Sequence, residues 1–589
     1  MRGPLFGLGL AALMGCSTPA PPPAPRALPS PDLLQAHCRE VVGEPRVEQV
    51  TDGIWVAMGY DLANTTLIRT SAGNIVVDPG MSPSRAAPAR EALLAVSPGP
   101  TAAMVFTHSH IDHVGGASVW MEEGTQIWAT ARLQDHFFKQ YGVFLPAESA
   151  RGARQFGRDV PDSQLPCSAL GRKVDIDAAF EVGVVLPTHT FEGETELTIG
   201  DITLRLVEAH GETDDQLFVW HEASRTLMPG DNWYRAFPNL YTVRGARPRP
   251  VGTWIASLDA MRRMEAAVLV PSHTPPVRGE AAVADALRDY RDGIQWLRDE
   301  VVRGANAGRS IDAIASGVAL PPHLADKPAL AELYGQLDWS ARAIYGNELG
   351  WFDGQARDLY RLPETERATR TVALLGGAGP VRAEAQAAAA AGDHRWALEL
   401  YAMVEAARGQ VSDAEHPNDL DRLIADSLEA LGAATANTNG RGYLLQSAIE
   451  RRAGRVKAGK EPTLSDDFAA GLPLEQIFAT MASRLKTSEV MDRHDAVHFV
   501  FPDIGERFVI TIRRGVAEVV RGEPLPGTPE PLATLTTDAQ TWRRLALGLE
   551  QGKDALADGR LSIDGSSLGV LGFLNRFDKG LAAPPGELP

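Results

Sequence analysis

Cysteine is scarce in this chain, with three residues among 589. So few cysteines exclude a disulfide-dense scaffold and a cysteine-clustered zinc finger. Positive charge is also in deficit, because 57 Lys and Arg stand against 75 Asp and Glu, for a formal net charge of -18. Proteins that bind nucleic acid concentrate positive charge to meet the phosphates, so we predict no nucleic-acid partner. Any bound metal must be held by His, Asp and Glu.

The N-terminus lacks an apolar run long enough to cross a bilayer. Arg2 precedes the short apolar segment from Leu5 to Met14, which falls well below the roughly 20 residues that a spanning helix needs. The run ends in Leu-Met-Gly-Cys, which resembles a bacterial lipoprotein processing site with Cys16 as the lipidated residue. We predict a signal peptide over residues 1–16 and a Pro/Ala-rich tether over residues 17–32. An ordinary secretory signal with an incidental cysteine is the alternative.

Either interpretation of the N-terminus predicts export. We expect a periplasmic or outer-membrane-associated lipoprotein that meets the membrane through an N-terminal lipid anchor. The two remaining cysteines, Cys38 and Cys167, could pair in such an oxidising compartment. The sequence leaves open whether they meet.

The length predicts several domains, and the residue pattern divides the chain into three. Residues 33–285 consist of short apolar runs that end in polar residues, as expected of strands that deliver side chains to a site. These runs are Ile75–Val77, Met104–Phe106, Thr203–Val207 and Val268–Val270. Residues 286–460 are predicted to be helical, from a stripe of apolar residues spaced three and four apart that begins at Val283.

The third predicted module covers residues 461–589 and has an α+β pattern. Leu474 to Leu485 carries apolar residues on one helix face. Phe508 to Ile512 and Val516 to Val520 are two β-rich runs joined by a short turn. We predict helix-like structure for the tail from Leu561 to Phe577.

The strongest chemical signal is the segment His-Ser-His-Ile-Asp-His at residues 108–113. His108 and His110 can project together from an extended loop toward one cation, while Asp112 and His113 can face a second. Imidazole and carboxylate ligands suit zinc and its neighbours. Two paired metals would polarise an ester oxygen and activate water. The alternative is a cluster of structural histidines in a polar turn.

This motif resembles the metallo-β-lactamase superfamily, and the later strand ends fit the same order. The finer resemblance is to the alkyl sulfatases, or type III sulfatases, through Gly59–Asn64, Asn239–Gly245 and Gly350–Gly354. The helical region resembles the dimerisation domain of that family, and the last module resembles its sterol-carrier-type domain. The resemblance implies an α/β fold: an αββα metallo-β-lactamase sandwich, then an α-helical domain, then a small α+β domain. It also implies a homodimer.

The resemblance implies seven metal ligands and two zinc ions, although other divalent metals suit the same donors. One metal takes His108, His110 and Glu212, the other takes Asp112, His113 and His273, and Asp231 bridges them. His210 is an alternative to Glu212 as a ligand. The bridge departs from the family, because alkyl sulfatases have glutamate where this chain has Asp231.

For the substrate anion the first candidate is Arg244, because a guanidinium offers a planar fork to sulfate oxygens. A surface salt bridge is its alternative role. Tyr241 and Asn64 are predicted to donate hydrogen bonds to the substrate anion as uncharged groups. Arg342 is predicted to bind the anion as well. Trp339 stands where the family has a histidine that holds sulfate or protonates the leaving group, and tryptophan supplies no titratable proton.

The predicted function is an exported dinuclear zinc hydrolase that cleaves sulfate esters of amphiphilic alcohols with a metal-activated water. Asp112, Asp231 and Arg244 are the predicted catalytic residues. One alternative keeps the fold but changes the substrate to another ester, a phosphoester, a lactone or a β-lactam. The other is an envelope lipid-binding lipoprotein with an inactive site.

Overall fold

A computed structural model describes residues 26–140, 143–410, 419–457, 463 and 466–578. The predicted signal peptide, the lipidation residue Cys16 and most of the tether lie outside these residues. None of the helices within the described ranges is both long enough and apolar enough to cross a membrane.

The first sheet has seven strands in the order β1-β2-β3-β4-β5-β6-β7. Neighbours from β1 to β4 are antiparallel, and neighbours from β4 to β7 are parallel. The strands are β1 (Arg46–Thr51), β2 (Ile54–Met58), β3 (Thr65–Thr70), β4 (Gly73–Val77), β5 (Thr101–Val105), β6 (Gln126–Thr130) and β7 (His189–Phe191). The predicted run Ile75–Val77 therefore forms the buried end of β4, and the run Met104–Phe106 covers the buried end of β5 and the residue after it.

The second sheet has six strands in the order β13-β12-β11-β10-β9-β8. β11 and β12 are parallel, and the other neighbours are antiparallel. The strands are β8 (Glu194–Ile199), β9 (Ile202–Glu208), β10 (Leu217–His221), β11 (Thr226–Met228), β12 (Val268–Leu269) and β13 (Val277–Arg278). The other two predicted runs are thus β9 and β12.

The two sheets pack face to face around an aliphatic core. Its buried members include Val56, Ile75 and Val105 from the first sheet and Leu204, Leu217 and Val219 from the second. Burial of each such side chain contributes about 1.5–3 kcal/mol of hydrophobic free energy. Helices cover both outer faces, which gives the predicted αββα sandwich. The helices of this part of the chain are α1 (Pro31–His37), α2 (Pro83–Val96), α3 (Ile111–Val114), α4 (Leu133–Gln140), α5 (Leu145–Gln155), α6 (Val251–Arg262) and α7 (Glu280–Asn306).

The predicted apolar stripe forms the buried face of the 27-residue helix α7. Leu287, Ile294 and Leu297 on this face pack with Trp254 of α6 and Leu269 of β12. The domain boundary predicted at residue 285 falls inside this helix, so α7 belongs to the cover of the second sheet as well as to the helical region.

The helical region continues with eight further α-helices in the part of the chain that the structure describes. They are α8 (Ile311–Gly317), α9 (Pro322–Ala325), α10 (Leu337–Leu349), α11 (Glu364–Leu374), α12 (Ala378–Ala390), α13 (His394–Ala406), α14 (Leu420–Ala433) and α15 (Thr438–Ala453). Asp393 caps α13 by accepting a hydrogen bond from the Trp396 backbone. α14 and α15 pack together, and α15 also packs on α5 of the sandwich, so the helical region reaches the wall of the site described below.

The last module is a five-stranded sheet in the order β16-β15-β14-β17-β18, with helices on it. Its elements are β14 (His494–Phe501), β15 (Glu506–Arg513), β16 (Val516–Arg521), β17 (Pro531–Thr537), β18 (Leu561–Gly565), α16 (Asp466–Gly471), α17 (Leu474–Ser483), α18 (Ala539–Ala546), α19 (Gly552–Ala557) and α20 (Ser567–Leu574). The helix-like prediction for the tail was wrong at its start. Leu561–Gly565 forms β18 because it pairs with β17, and helix begins only at Ser567.

Cys38 and Cys167 form a disulfide, with Cα atoms 5.7 Å apart and a sequence separation of 129 positions. The bond joins the end of α1 to the loop that follows α5. The imidazole of His37 lies 2.7 Å from the Ala169 carbonyl beside it. α1 is therefore held against the side of the sandwich.

Candidate metal centre

The chemistry-bearing residues lie where strands of both sheets end at one edge of the sandwich. His108 and His110 follow β5, and α3 carries Asp112 and His113 one turn later. The turn between β9 and β10 carries Glu212, and the segment after β11 carries Asp231. The chain after β12 reaches the same edge with His273. All seven predicted ligands are buried.

His108, His110, Glu212 and Asp231 form one group whose donor atoms lie within 4.8 Å of one another. His108 Nε2 is 2.9 Å from His110 Nδ1, and His110 Nδ1 is 3.3 Å from Glu212 Oε2. His108 Nε2 lies 3.8 Å from Asp231 Oδ2. The lone pairs of these atoms therefore converge on a common centre.

Asp112, His113 and His273 form a second group with the same compactness. His113 Nε2 and His273 Nε2 lie 3.3 Å and 3.5 Å from Asp112 Oδ2. Asp231 reaches this group as well, with Oδ1 3.5 Å from His113 Nε2 and Oδ2 3.1 Å from His273 Nε2. The shorter aspartate side chain thus still lies between the two groups, where the bridge was predicted.

The donor set fits two divalent cations. His113 Nε2 and Asp231 Oδ1 are buried polar atoms with no hydrogen-bond partner among the described residues. Burial is the main cause that lowers the pKa of His108 to about 4, and the neighbouring His113 adds to the effect. This imidazole is therefore neutral, as a metal ligand must be. Burial opposes ionisation of Asp231, but His273 and His113 outweigh it and hold the pKa of Asp231 well below its usual value.

Asp78 contacts residues around the candidate centre, and it was not among the site residues predicted from the sequence. Its Oδ2 accepts from Thr107 Oγ1 at 2.9 Å and Ser272 Oγ at 2.6 Å, and it lies 2.9 Å from His113 Nδ1. Its Oδ1 accepts from the Thr107 backbone. One carboxylate thus ties together the three segments that carry His108, His113 and His273, and it orients His113 so that Nε2 faces the centre.

Arg249 was also missed, and it holds the predicted ligand Glu212. Its buried guanidinium donates through Nη1 to Glu212 Oε1 and, at 2.6 Å, to the Asn239 carbonyl. Burial raises the pKa of Glu212 to about 8, and Arg249 acts against this rise. Asn239 is fixed in turn, because its backbone N–H donates to the Tyr234 hydroxyl at 2.7 Å.

Arg244 lies at the rim of the first ligand group. Its Nη2 is 3.4 Å from His110 Nε2, and its Nη1 donates to the Gly245 carbonyl at 3.1 Å. Gln155 of α5 fixes the segment, because Gln155 Oε1 accepts from the Arg244 backbone at 2.8 Å and from Thr242 Oγ1 at 2.9 Å. The side chain is only 15% exposed, which does not favour an ordinary surface salt bridge.

The other predicted substrate residues differ in their surroundings. Asn64 is buried, and its amide nitrogen donates to the carbonyls of Pro271 at 3.1 Å and Thr274 at 2.8 Å. Its observed contacts therefore position the segment that carries His273. Tyr241 is 40% exposed. Arg342 is half exposed and pairs with Asp312, an exposed residue of α8. The substrate roles of all three stay predictions.

His210 lies outside both ligand groups. Its Nε2 is 2.7 Å from Glu208 Oε1, so the ring is turned toward β9. The geometry favours Glu212 over His210 as the first-group ligand. Trp339 on α10 packs against the start of α15, where its ring would lie 3.0 Å from a Cβ placed on Gly440.

Comparisons with known proteins agree with this architecture. Residues 58–273 match the metallo-beta-lactamase superfamily, residues 310–454 match alkyl sulfatase dimerisation, and residues 462–581 match the alkyl sulfatase C-terminal family. A linear primary-alkylsulfatase of Pseudomonas sp. is 32% identical over 538 residues, which cover 87% of this chain and 98% of that protein. The chain belongs to the alkyl sulfatase family.

Other alkyl sulfatases are similar along most of the chain. An (R)-specific secondary-alkylsulfatase of Pseudomonas sp. is 29% identical over 575 residues, covering 92% of this chain and 82% of that protein. The solved structure of the stereoselective inverting sec-alkylsulfatase Pisa1 from Pseudomonas sp. superposes with a TM-score of 0.80 at 25% identity. The superposition covers 93% of this chain and 86% of the Pisa1 chain. This alkyl sulfatase family member is thus a hydrolase with the metallo-β-lactamase fold and a candidate site for divalent metal.

Proposed function

We propose that this chain is an exported, dinuclear zinc alkyl sulfatase that hydrolyses sulfate esters of amphiphilic alcohols and works as a homodimer. One observation carries the proposal: two buried His/carboxylate groups share Asp231, and Arg244 lies against the first of them. Relatives named as alkyl sulfatases match over most of the chain. The substrate class is taken from those names.

The metal ligands are His108, His110 and Glu212 in one group, Asp112, His113 and His273 in the other, and Asp231 between them. When bound, two zinc ions supply Lewis acidity and lower the pKa of water at the site. Other side chains of the protein contact these ligands and hold them in place. Asp78 orients His113, and Arg249 orients Glu212.

Arg244 binds the sulfate group of the substrate in this proposal. Its guanidinium donates to the Gly245 carbonyl, and its backbone N–H donates to Gln155, so the fork is oriented before the substrate arrives. Because Arg244 lies against His110, an anion bound by Arg244 is at the edge of the first ligand group. Negative charge that develops on the sulfate during hydrolysis is then stabilised by a fixed cation.

The test is a hydrolysis panel on purified, zinc-loaded protein with dodecyl sulfate, a phosphodiester, an aryl carboxylic ester and a β-lactam. We expect sulfate release from dodecyl sulfate that is lost in an Asp112→Ala/His113→Ala variant. Metal analysis should find two zinc ions per chain in the wild type. Turnover of another ester without sulfate release would overturn the substrate and keep the hydrolase fold.

Export as a lipoprotein belongs to the same proposal. The pattern around Cys16 and the Cys38–Cys167 disulfide both suit a chain that matures outside the reducing cytoplasm. Expression in a Gram-negative host should place the wild type in the membrane fraction. A Cys16→Ser variant should leave that fraction, and a wild type that stays in the cytosol would refute export.

A further inference from the structure

Glu148 lies beside the anion-binding arginine but has no role in the function proposed above. It is on α5, and its Oε2 is 3.8 Å from Arg244 Nη1. The side chain is 16% exposed, and Oε2 is buried without a hydrogen-bond partner among the residues described. A buried carboxylate oxygen without a donor needs an explanation.

Among the described residues, Glu148 is the acidic side chain that pairs with Arg244. With its amide oxygen turned to Arg244, Gln140 at the end of α4 accepts from Nη1 at 3.0 Å and from Nη2 at 3.3 Å. The Gly245 carbonyl accepts a third hydrogen bond, and His110 faces Nη2. The guanidinium therefore lies between the metal centre on one side and Glu148 on the other.

The charged groups that act on Glu148 are Arg244 and Arg151, the latter one turn along α5. α15 packs on α5 with Tyr443 and Glu450, but both contact Arg154 on another face of the helix. Burial of the carboxylate outweighs the two arginines and raises the pKa of Glu148 to about 7. Glu148 is thus poised to gain or lose a proton near neutral pH.

An ionised Glu148 and a sulfate ester would compete for the same arginine. Both carry negative charge, and like charges this close disfavour each other in a partly buried site. A protonated Glu148 removes the repulsion. Its O–H can also donate to a sulfate oxygen, and the oxygens of a sulfate monoester only accept.

We propose that Glu148 is a specificity residue that binds the sulfate group as a neutral carboxylic acid, so that anion binding is coupled to uptake of one proton. The proton comes from solvent when the anion binds and returns to solvent when the sulfate product leaves. The inference rests on the proposed function, because it takes Arg244 as the sulfate-binding residue.

The sign of the pH dependence follows from the protonated form being the binding form. Below about pH 7 Glu148 carries its proton, and sulfate affinity is at its maximum. Above that pH the affinity should fall by about tenfold for each pH unit. A Glu148→Gln variant keeps a neutral hydrogen-bond donor at every pH, so its sulfate affinity should stay nearly constant.

The experiment is calorimetric titration of the full-length, zinc-loaded protein with inorganic sulfate between pH 6 and 9. At pH 8 it is repeated in two buffers that differ in ionisation enthalpy, which counts the protons taken up. We expect uptake of about one proton per sulfate in the wild type and a loss of most of this uptake in Glu148→Gln. Glu123→Gln, an exposed glutamate elsewhere on the sandwich, is the matched control and should behave as wild type.

Two results would overturn the inference. One is a wild-type sulfate affinity that does not change between pH 6 and 9, which needs no variant to interpret. The other is a folded Glu148→Gln protein that keeps the full pH dependence and the full proton uptake. Hydrolysis of dodecyl sulfate is measured separately, so an absence of turnover would count against the proposed function while sulfate binding still decides the role of Glu148.

Discussion

Arg249 is the residue whose loss should most directly test how the metal centre is held. One oxygen of Glu212 contacts Arg249, and the other faces His110 at 3.3 Å. The arginine thus sets the rotation of the carboxylate and balances its buried charge. We predict that Arg249→Met lowers zinc affinity by about 10–100-fold, the usual effect of removing an outer-shell partner of a ligand.

Competition with a chelator of known affinity measures this loss directly. Arg247→Met is the matched control, because Arg247 is exposed and lies two residues away on the same segment. It should bind zinc as the wild type does. Retention of two tightly bound zinc ions by Arg249→Met would show that Glu212 needs no support from this arginine.

At the scale of residues, the sequence predicted the seven side chains that cluster at the candidate centre but not the groups that contact them. The spacing of His108, His110 and Asp112 is local, so a strand followed by a turn is enough to predict that these side chains converge. Asp78 follows a predicted strand, but its contacts, like those of Arg249, are with residues distant in sequence, and no local pattern predicts those contacts. The same reason hides Glu148, which contacts Arg244 only because α5 folds over that segment.

At the scale of elements, the contact between α5 and α15 controls where Arg244 lies. Gly442 of α15 lies so close to α5 that a Cβ there would be 2.2 Å from the Gln155 carbonyl. Gln155 in turn fixes the Arg244 backbone. We predict that Gly442→Ala pushes the helices apart, costs about 1–3 kcal/mol of stability and raises KM for a sulfate ester by about tenfold or more.

Steady-state kinetics and thermal unfolding check this prediction together. Gly346→Ala on α10 is the matched control, because nothing lies within 4 Å of a Cβ at that helical position. It should leave KM unchanged and stabilise the protein slightly, by up to about 1 kcal/mol. Equal KM values for Gly442→Ala and the wild type would mean that the helix contact does not position Arg244.

The disulfide is a second link between elements that are far apart in sequence. It closes a long loop, with a sequence separation of 129 positions between Cys38 and Cys167, and long loops gain most from such a bond. We predict that the Cys38→Ser/Cys167→Ser variant has a free energy of unfolding about 2–4 kcal/mol lower than that of the wild type. The first thermal unfolding transition should fall by roughly 5–15 °C. Reductant should lower the transition temperature of the wild type toward that of the variant and leave the transition temperature of the variant unchanged. A wild-type transition temperature that does not respond to reductant would contradict the prediction.

Elements with a strong local pattern were the ones that the sequence predicted well. The stripe that begins at Val283 became α7, because three- and four-residue spacing buries one helix face on the second sheet. The segment Leu561–Gly565 was predicted less well, since its strand exists through pairing with β17, a partner that local spacing does not reveal. The pairing of Cys38 with Cys167 likewise depends on the folded sandwich.

At the scale of the whole molecule, an apolar surface on the helical region suits a second copy of the chain. Residues 350–363 connect α10 to α11, and Trp351 and Tyr360 in this segment are 75% and 94% exposed. The segment lies within the range that matches the alkyl sulfatase dimerisation family. Exposed aromatic side chains grouped in this way are typical of interface centres.

We predict that Trp351→Ser/Tyr360→Ser converts a homodimer into a monomer, weakening self-association by on the order of 100-fold or more. Sedimentation velocity over a range of protein concentrations measures the change. Leu568→Ser is the matched control, because Leu568 is 83% exposed on α20, outside the dimerisation range. It should sediment as the wild type does. A double variant that remains dimeric at the lowest concentration would place the interface elsewhere, and a wild type that is already monomeric would refute the homodimer itself.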